Sequence, residues 1–144
     1  MNLSMSITGI SETLKKMAEM NSKLEKKIVT SAIKAGFKVE ADAKYYCPVD
    51  TGRLRSSIST NWNGSGMGEG KIQAKAEAGD GIKQPPTEGD AIITVVVGTN
   101  VKYARAVEMG TSRMKRVPYL SQAYYQNIGY IKEHVKNAVI EGIK

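Results

Sequence analysis

Cys47-Pro48-Val49-Asp50-Thr51-Gly52-Arg53-Leu54-Arg55-Ser56-Ser57 is the joint on which the fold of this chain turns. Pro48 has no N–H and disfavours helical backbone at Cys47, so a helix arriving from the N-terminal side must stop there. Asp50 and Thr51 can hydrogen-bond nearby backbone groups, and Gly52 can take a positive φ, which together suit a tight turn. Arg53, Leu54 and Arg55 leave that turn with one apolar side chain between two charged ones. Taken alone, these residues read as a helix-to-strand corner.

Upstream, residues 11–46 carry the pattern of a long amphipathic helix. Ile10, Leu14, Met17, Leu24, Ile28, Ala35 and Val39 recur at helical spacing. Thr8 or Ser11 can cap its start, with Glu12 in the favourable first turn. The other faces hold Lys15, Lys16, Lys23, Lys26, Lys27, Lys34 and Lys38. These read first as a solvated surface and second as contacts to an acidic partner or nucleic acid. A helix this long needs a sheet or another subunit to cover its apolar stripe, because propensity alone rarely holds a helix in water.

Downstream the period changes. Ile58, Thr60 and Trp62 alternate with Ser59 and Asn61, the mark of a half-buried strand. Residues 64–71, Gly-Ser-Gly-Met-Gly-Glu-Gly-Lys, read as a flexible loop. They fail as a phosphate-binding loop, which needs Lys followed by Ser or Thr where this chain has Lys71 and Ile72. Ile72, Ala74, Ala76 and Ala78 give a second strand by period, with helix as the alternative. Residues 79–90, with Pro85-Pro86 and three glycines, read as a long exposed loop. Residues 91–98 form the clearest strand, and their β-branched density points to a central position. A short helix is expected over residues 103–109, with Ala104, Val107 and Met109 inward and Gly110 as its stop. A basic loop follows, holding Arg113, Lys115 and Arg116. Pro118 opens a last helix, in which Leu120, Ala123, Tyr124, Ile128, Ile131, Val135, Ala138, Val139 and Ile143 keep a helical period.

The chain has 144 residues, 41% of them hydrophobic and 24% charged, which suits one folded domain over 1–144 and excludes a disordered or membrane-spanning chain by composition. Its first residues lack a basic start followed by an apolar block, so no signal peptide is expected. Cys47 is the only cysteine, which rules out an internal disulfide and fits a reducing compartment. The net charge of +7 is unevenly placed: +4 over residues 1–60, −2 over 61–100 and +5 over 101–144. Such a balance favours anionic partners.

Catalysis needs partners that this sequence does not offer. His134 is the only histidine and sits in the last helix, where an exposed position is expected. One His and one Cys cannot supply the soft ligands of a metal site. The carboxylates Asp50, Asp80, Glu88, Asp90 and Glu108 are scattered over turns and loops. No catalytic residue, cofactor site or metal site is assigned, and the chain reads as a non-enzyme. Arg113, Lys115 and Arg116, beside Tyr103 and Tyr119, leave nucleic-acid binding open, although no DNA- or RNA-binding signature accompanies them.

Two blocks carry a resemblance. Pro48-x-Asp50-Thr51-Gly52-x-Leu54-x-x-Ser57 is similar to a segment of the tail-completion (head–tail joining, neck) proteins of long-tailed, siphovirus-type bacteriophages. Tyr103-Ala104-x-x-Val107-Glu108-Met109-Gly110-Thr111, then Pro118-Tyr119-Leu120, resembles that family's Tyr-Ala-x-x-Val-Glu-Phe-Gly-Thr and Pro-Phe-Leu segments. Met109 and Tyr119 each replace a Phe of that pattern. The resemblance implies an α+β protein with long N-terminal and C-terminal helices on a small antiparallel sheet of about three to four strands. It implies a virion protein assembled in the host cytoplasm into a homo-oligomeric ring, commonly six-fold, between the head connector or stopper and the tail tube or terminator. DNA would run through the ring, and no membrane is involved.

On this reading Pro48, Asp50, Thr51, Gly52, Leu54, Tyr103, Glu108, Gly110 and Pro118 build a structural corner, with Asp50 or Glu108 paired to Arg53 or Arg105. Residues 64–90 and the loop of Arg113, Lys115 and Arg116 carry contacts to partners or DNA. A tail terminator, a minor tail protein and a basic DNA-binding accessory protein are the alternatives.

Overall fold

A computed structural model describes residues 22–64, 68–71 and 93–143. The expectations for residues 1–21, for the strand beyond Lys71 and for the loop at 79–90 lie outside them. In chain order the elements are helix α1 (Ser22–Tyr46), the short helix α2 (Arg53–Ser57), strands β1 (Ser59–Gly64), β2 (Gly68–Lys71) and β3 (Ile93–Gly98), the short helix α3 (Ala104–Met109) and helix α4 (Tyr119–Ile143). Two long helices on a small antiparallel sheet make the protein α+β, as expected.

The sheet runs in the order β2-β1-β3, both pairings antiparallel. Its longer ladder joins β1 to β3, from Ser59↔Gly98 to Gly64↔Ile93. β2 adds only a four-residue edge. Two expectations are corrected. The glycine-rich stretch read as a loop instead pairs as a hairpin, Gly64↔Gly68 through Asn61↔Lys71. Glycines leave no face pattern in a sequence, so this pairing is set by the neighbouring strand. Among the described residues β1, not β3, holds the middle of the sheet. Every residue of β3 is buried, and β-branched density tracks burial rather than rank in the ladder.

α1 is covered on two sides. Thr60, Trp62, Val95 and Val97 lie on the sheet face toward it, by the register and by the approach of Gly36 to Val95 and Thr60. Val29, Ala32 and Ile33 pack on Ile93 and Val95, with Phe37 edge-on to Trp62 at 5.7 Å. α4 packs along another side of α1 and runs antiparallel to it. Lys27 lies by Glu141, Ser31 by His134 and Asp42 by Asn127. The expected stripe residues Leu24, Ile28, Ala35 and Val39 are buried, and Val29, Ala32, Ile33 and Ala43 widen the stripe to serve both layers.

In α4, Tyr124 and Ile143 face outward, against expectation, and Asn127 is buried in their stead. Its Nδ2 donates to the Ala123 carbonyl and to Asp42 Oδ2, so the buried amide is satisfied across the helix pair. Burial raises the pKa of Asp42, but hydrogen bonds from Asn127 and Lys38 and the charge of Lys38 outweigh it, leaving the carboxyl below its ordinary value.

Candidate docking corner

α1 ends with the Cys47 amide donating to the Ala43 carbonyl at 2.9 Å, one residue before Pro48. The chain then turns through Gly52, whose φ of 84° and ψ of −4° lie in the left-handed region. Leu54 points into the core and Arg53 and Arg55 outward. They do so on the helix α2 rather than on a strand leaving the turn, which corrects the corner as first read. Two serines hold that helix: Ser56 Oγ donates to the Gly52 carbonyl at 2.7 Å and Ser57 Oγ to the Leu54 carbonyl at 2.7 Å. Ser57 Oγ also lies 2.5 Å from Thr99 Oγ1, which in turn accepts from the Val101 amide. The first block is thereby tied to the end of β3, where the second begins.

In the second block α3 places Ala104 and Glu108 inward and Met109 outward, with Val107 half-buried. The sequence reading put Met109 inside; the reason for the exchange is Glu108. Its Oε2 accepts from the Leu120 amide and its Oε1 from the Ser121 amide, both at 3.0 Å, and Ser121 Oγ also bonds to it. These are amides of the first turn of α4, which no helix can satisfy internally. Pro118, at the cap position, has no side-chain acceptor, so the capping carboxylate comes from another helix. Glu108 is thus no partner of Arg53 or Arg105. Its charge faces the positive end of α4, where a carboxylate is favourable.

Gly110 closes α3 with φ 78° and ψ 169°, a region open essentially to glycine alone. A Cβ there would meet the Arg116 backbone nitrogen at 3.0 Å. The loop is therefore folded back on the glycine. Thr111 Oγ1 accepts from the Met114 amide at 3.0 Å, and the Val117 amide donates to the Val107 carbonyl at 2.9 Å.

Gly52 has the positive φ but no heavy atom within 4 Å of a built Cβ. Gly52→Ala is accordingly expected to cost about 1 kcal/mol and Gly52→Asn less, since Asn tolerates left-handed backbone. Gly110→Ala and Gly110→Asn are both expected to cost about 2 kcal/mol. Thermal melts of the four variants check the ranking.

Both blocks converge on one core. Cys47, Leu54, Ile58, Val101, Ala104, Tyr119 and Leu120 belong to a single buried cluster. Burial pushes the Cys47 thiol up to about 11, against a smaller opposing pull from Arg55. That thiol is a packing group rather than a nucleophile. Tyr119 is wholly buried, its hydroxyl has no hydrogen-bond partner among the described residues, and burial drives its ionisation well above the ordinary range. Tyr119→Phe removes an unsatisfied hydroxyl and is expected to leave stability unchanged or raise it by up to about 1 kcal/mol, read from a denaturant midpoint.

Outside this core the described residues of the corner are mostly of one sign. Arg53, Arg55, Lys102, Arg105, Arg113, Lys115 and Arg116 are exposed, and among the described residues Asp50 is the exposed carboxylate beside them. Between them Val49 is 58% exposed, Met109 56% and Tyr103 45%, with Tyr45 standing out at the end of α1. Sequence reasoning missed Glu108 as a cap and Thr99 as the tie to Ser57. The missing acceptor at Pro118 was the one available signal for the cap. Among the described residues no group of three or more His, Cys, Asp or Glu could hold a metal ion.

The sequence model of one family, described as "Bacteriophage HK97-gp10, putative tail-component", matches residues 10–110. The chain belongs to this HK97-gp10-like family. The matched span takes in both glycine turns and Glu108, and stops short of the basic loop. It makes the protein a phage tail component, which belongs in the virion among other virion proteins. No curated protein and no solved structure matches the chain. No described helix is long and apolar enough to cross a membrane.

Proposed function

We propose that this tail component joins the phage head connector to the tail, docking through its basic corner on acidic faces of neighbouring virion proteins. The observation that carries the reading is the corner surface itself: among the described residues, seven exposed Lys and Arg side chains against one exposed carboxylate, around exposed Tyr, Met and Val. Tyr, Met and Arg are the residues that protein interfaces favour at their centres. The fold behind the surface is rigid, since both blocks share one core, so little ordering cost falls on binding.

Ring assembly is part of the proposal, and the charge supports it. A surface of one sign cannot meet its own copy about a two-fold axis without facing like charge. A head-to-tail contact avoids that, and head-to-tail contacts close into rings. The net-negative stretch over residues 61–100 supplies complementary charge within the same chain. On this account residues 64–90 and the loop of Arg113, Lys115 and Arg116 make contacts to neighbours, and a structural role rather than catalysis is the protein's work.

The test is head–tail joining in assembling particles. Arg113→Glu, Lys115→Glu and Arg116→Glu together, and separately deletion of residues 79–89, are each expected to abolish joining while the melting temperature holds. Normal joining by a folded triple variant overturns the docking surface. Capture of tail tube rather than head connector in a pull-down turns the assignment to a tail terminator.

A further inference from the structure

We propose that the groove between the first half of α1 and the second half of α4 binds the sugar–phosphate backbone of duplex DNA. This site is separate from the docking corner and does not rest on that reading. The groove has a volume of about 390 Å³ and is lined by Lys26, Lys27 and Lys34 from α1 and by His134, Asn137 and Glu141 from α4. Its walls are fixed to each other. Lys27 Nζ donates to the Glu141 carbonyl at 3.1 Å, and Ser31 Oγ donates to the His134 carbonyl at 2.9 Å. All three lysines are exposed.

The contrast within α1 is informative. Further along it, Lys38 is held by Asp42 and Lys44 by Glu40, so their charge is met inside the protein. Lys26 and Lys34 have no carboxylate partner among the described residues, and their charge is available to a ligand.

Spacing selects the ligand. Eight residues of helix separate Lys26 from Lys34, roughly 12 Å at 1.5 Å per residue. One phosphate cannot span that row. A duplex strand winds about its axis, so successive phosphates lie farther apart than its axial rise of about 3.4 Å, and the row matches no more than about three of them. Lysines on flexible stems act as point charges, which suits a diffuse phosphate backbone. An acidic protein face would need apolar anchors, and Ala138 is the one apolar residue lining the groove. From Ser31 to Cys47 the axis of α1 runs about 24 Å, so the groove and the corner lie toward opposite ends of the helix pair and can be occupied together.

The experiment measures binding of a short duplex of arbitrary sequence by fluorescence anisotropy, between about 50 mM and 200 mM salt. Three phosphate contacts contribute about 0.9 each to the log–log salt slope, so these lysines alone account for a roughly forty-fold loss of affinity over that range. The variant Lys26→Ala/Lys27→Ala/Lys34→Ala is expected to bind at least about tenfold more weakly at low salt, with a slope shallower by about 2 to 3. The pair Lys26→Gln/Lys34→Gln leaves the Lys27–Glu141 bond in place and is expected to lose about two thirds of that slope change. Inorganic phosphate is expected to compete only through ionic strength.

No binding by the wild type at low salt overturns the proposal. So does wild-type binding by either groove variant, or specific competition by inorganic phosphate. Loss of binding in Arg113→Ala/Lys115→Ala/Arg116→Ala, with the groove variants unaffected, moves the DNA contact to the corner and overturns it equally. None of these outcomes depends on head–tail joining.

Discussion

Glu108→Ala is expected to lower the melting temperature by about 10 °C, equivalent to about 3 kcal/mol for a chain of this size. The carboxylate is 1% exposed and accepts two backbone hydrogen bonds and one from a hydroxyl. Its removal leaves the Leu120 and Ser121 amides without acceptors, Leu120 being wholly internal. Each buried unsatisfied donor costs about 1–3 kcal/mol, and the favourable charge at the helix start is lost as well. Glu108→Gln keeps one acceptor oxygen but turns an NH₂ toward an amide, so an intermediate loss is expected. Because the effect is a missing cap, a cap supplied from elsewhere should repair it. Glu108→Ala/Pro118→Asp puts an acceptor at the position Pro118 leaves bare and is expected to recover about 1 kcal/mol. A Glu108→Ala protein as stable as the wild type would show that α4 needs no carboxylate at its start.

The consequence reaches the docking corner. α3, the 111–117 loop and the start of α4 are bound to one another chiefly by Glu108, by Gly110 beside Arg116 and by the Val117–Val107 backbone bond. Arg113, Lys115 and Arg116 ride on that loop. A variant without the cap is therefore expected to lose orientation of the basic side chains before it loses the fold, since α1 and the β1–β3 ladder do not depend on it.

What the sequence disclosed follows from which forces act locally. The helix stripe was legible because burial imposes a period: Leu24, Ile28, Ala35 and Val39 recur on it and all are buried. The stop at Pro48 was legible because proline acts through its own backbone. β3 was legible as a strand, but not its rank in the sheet, because hydrogen-bond order leaves no mark on side-chain type. The β1–β2 pairing was invisible for the same reason, since glycines carry no face.

At the corner, the chemistry of Glu108 was misread because its partners are backbone amides more than ten residues away, and backbone amides look alike in every sequence. Asn127 was passed over for a related reason. A polar residue on an apolar face is accommodated only where a partner such as Asp42 waits on another helix. Glycine inside α1 was the remaining signal left unused: a lone Gly in a strong helical pattern usually has a packing reason.

That glycine is Gly36, and its replacement by a large side chain is the other change expected to be severe. A Cβ at Gly36 would lie 2.6 Å from Val95 Cγ1 and 3.0 Å from Thr60 Cγ2. Both neighbours are buried, β-branched residues of the paired strands and have little freedom to swing aside. One turn later Glu40 Oε2 accepts from Thr60 Oγ1 at 2.5 Å while Oε1 takes Lys44 at 2.6 Å, so the spacing at Gly36 also sets a helix-to-sheet hydrogen bond. Gly36→Ala gains about 1 kcal/mol of helix propensity and loses about 1–3 to overpacking, for a net loss of about 1. Gly36→Leu gains no more propensity and must push α1 off the sheet, with an expected loss of about 3 kcal/mol or more and a melting temperature lower by about 10 °C. If close approach is the cause, trimming the opposing side chain must help. Val95→Ala alone opens a cavity and destabilises, but Gly36→Ala/Val95→Ala is expected to cost less than the two single changes added together. Strict additivity in that cycle would mean that the glycine and the valine do not meet, and that something other than this contact sets the distance between helix and sheet.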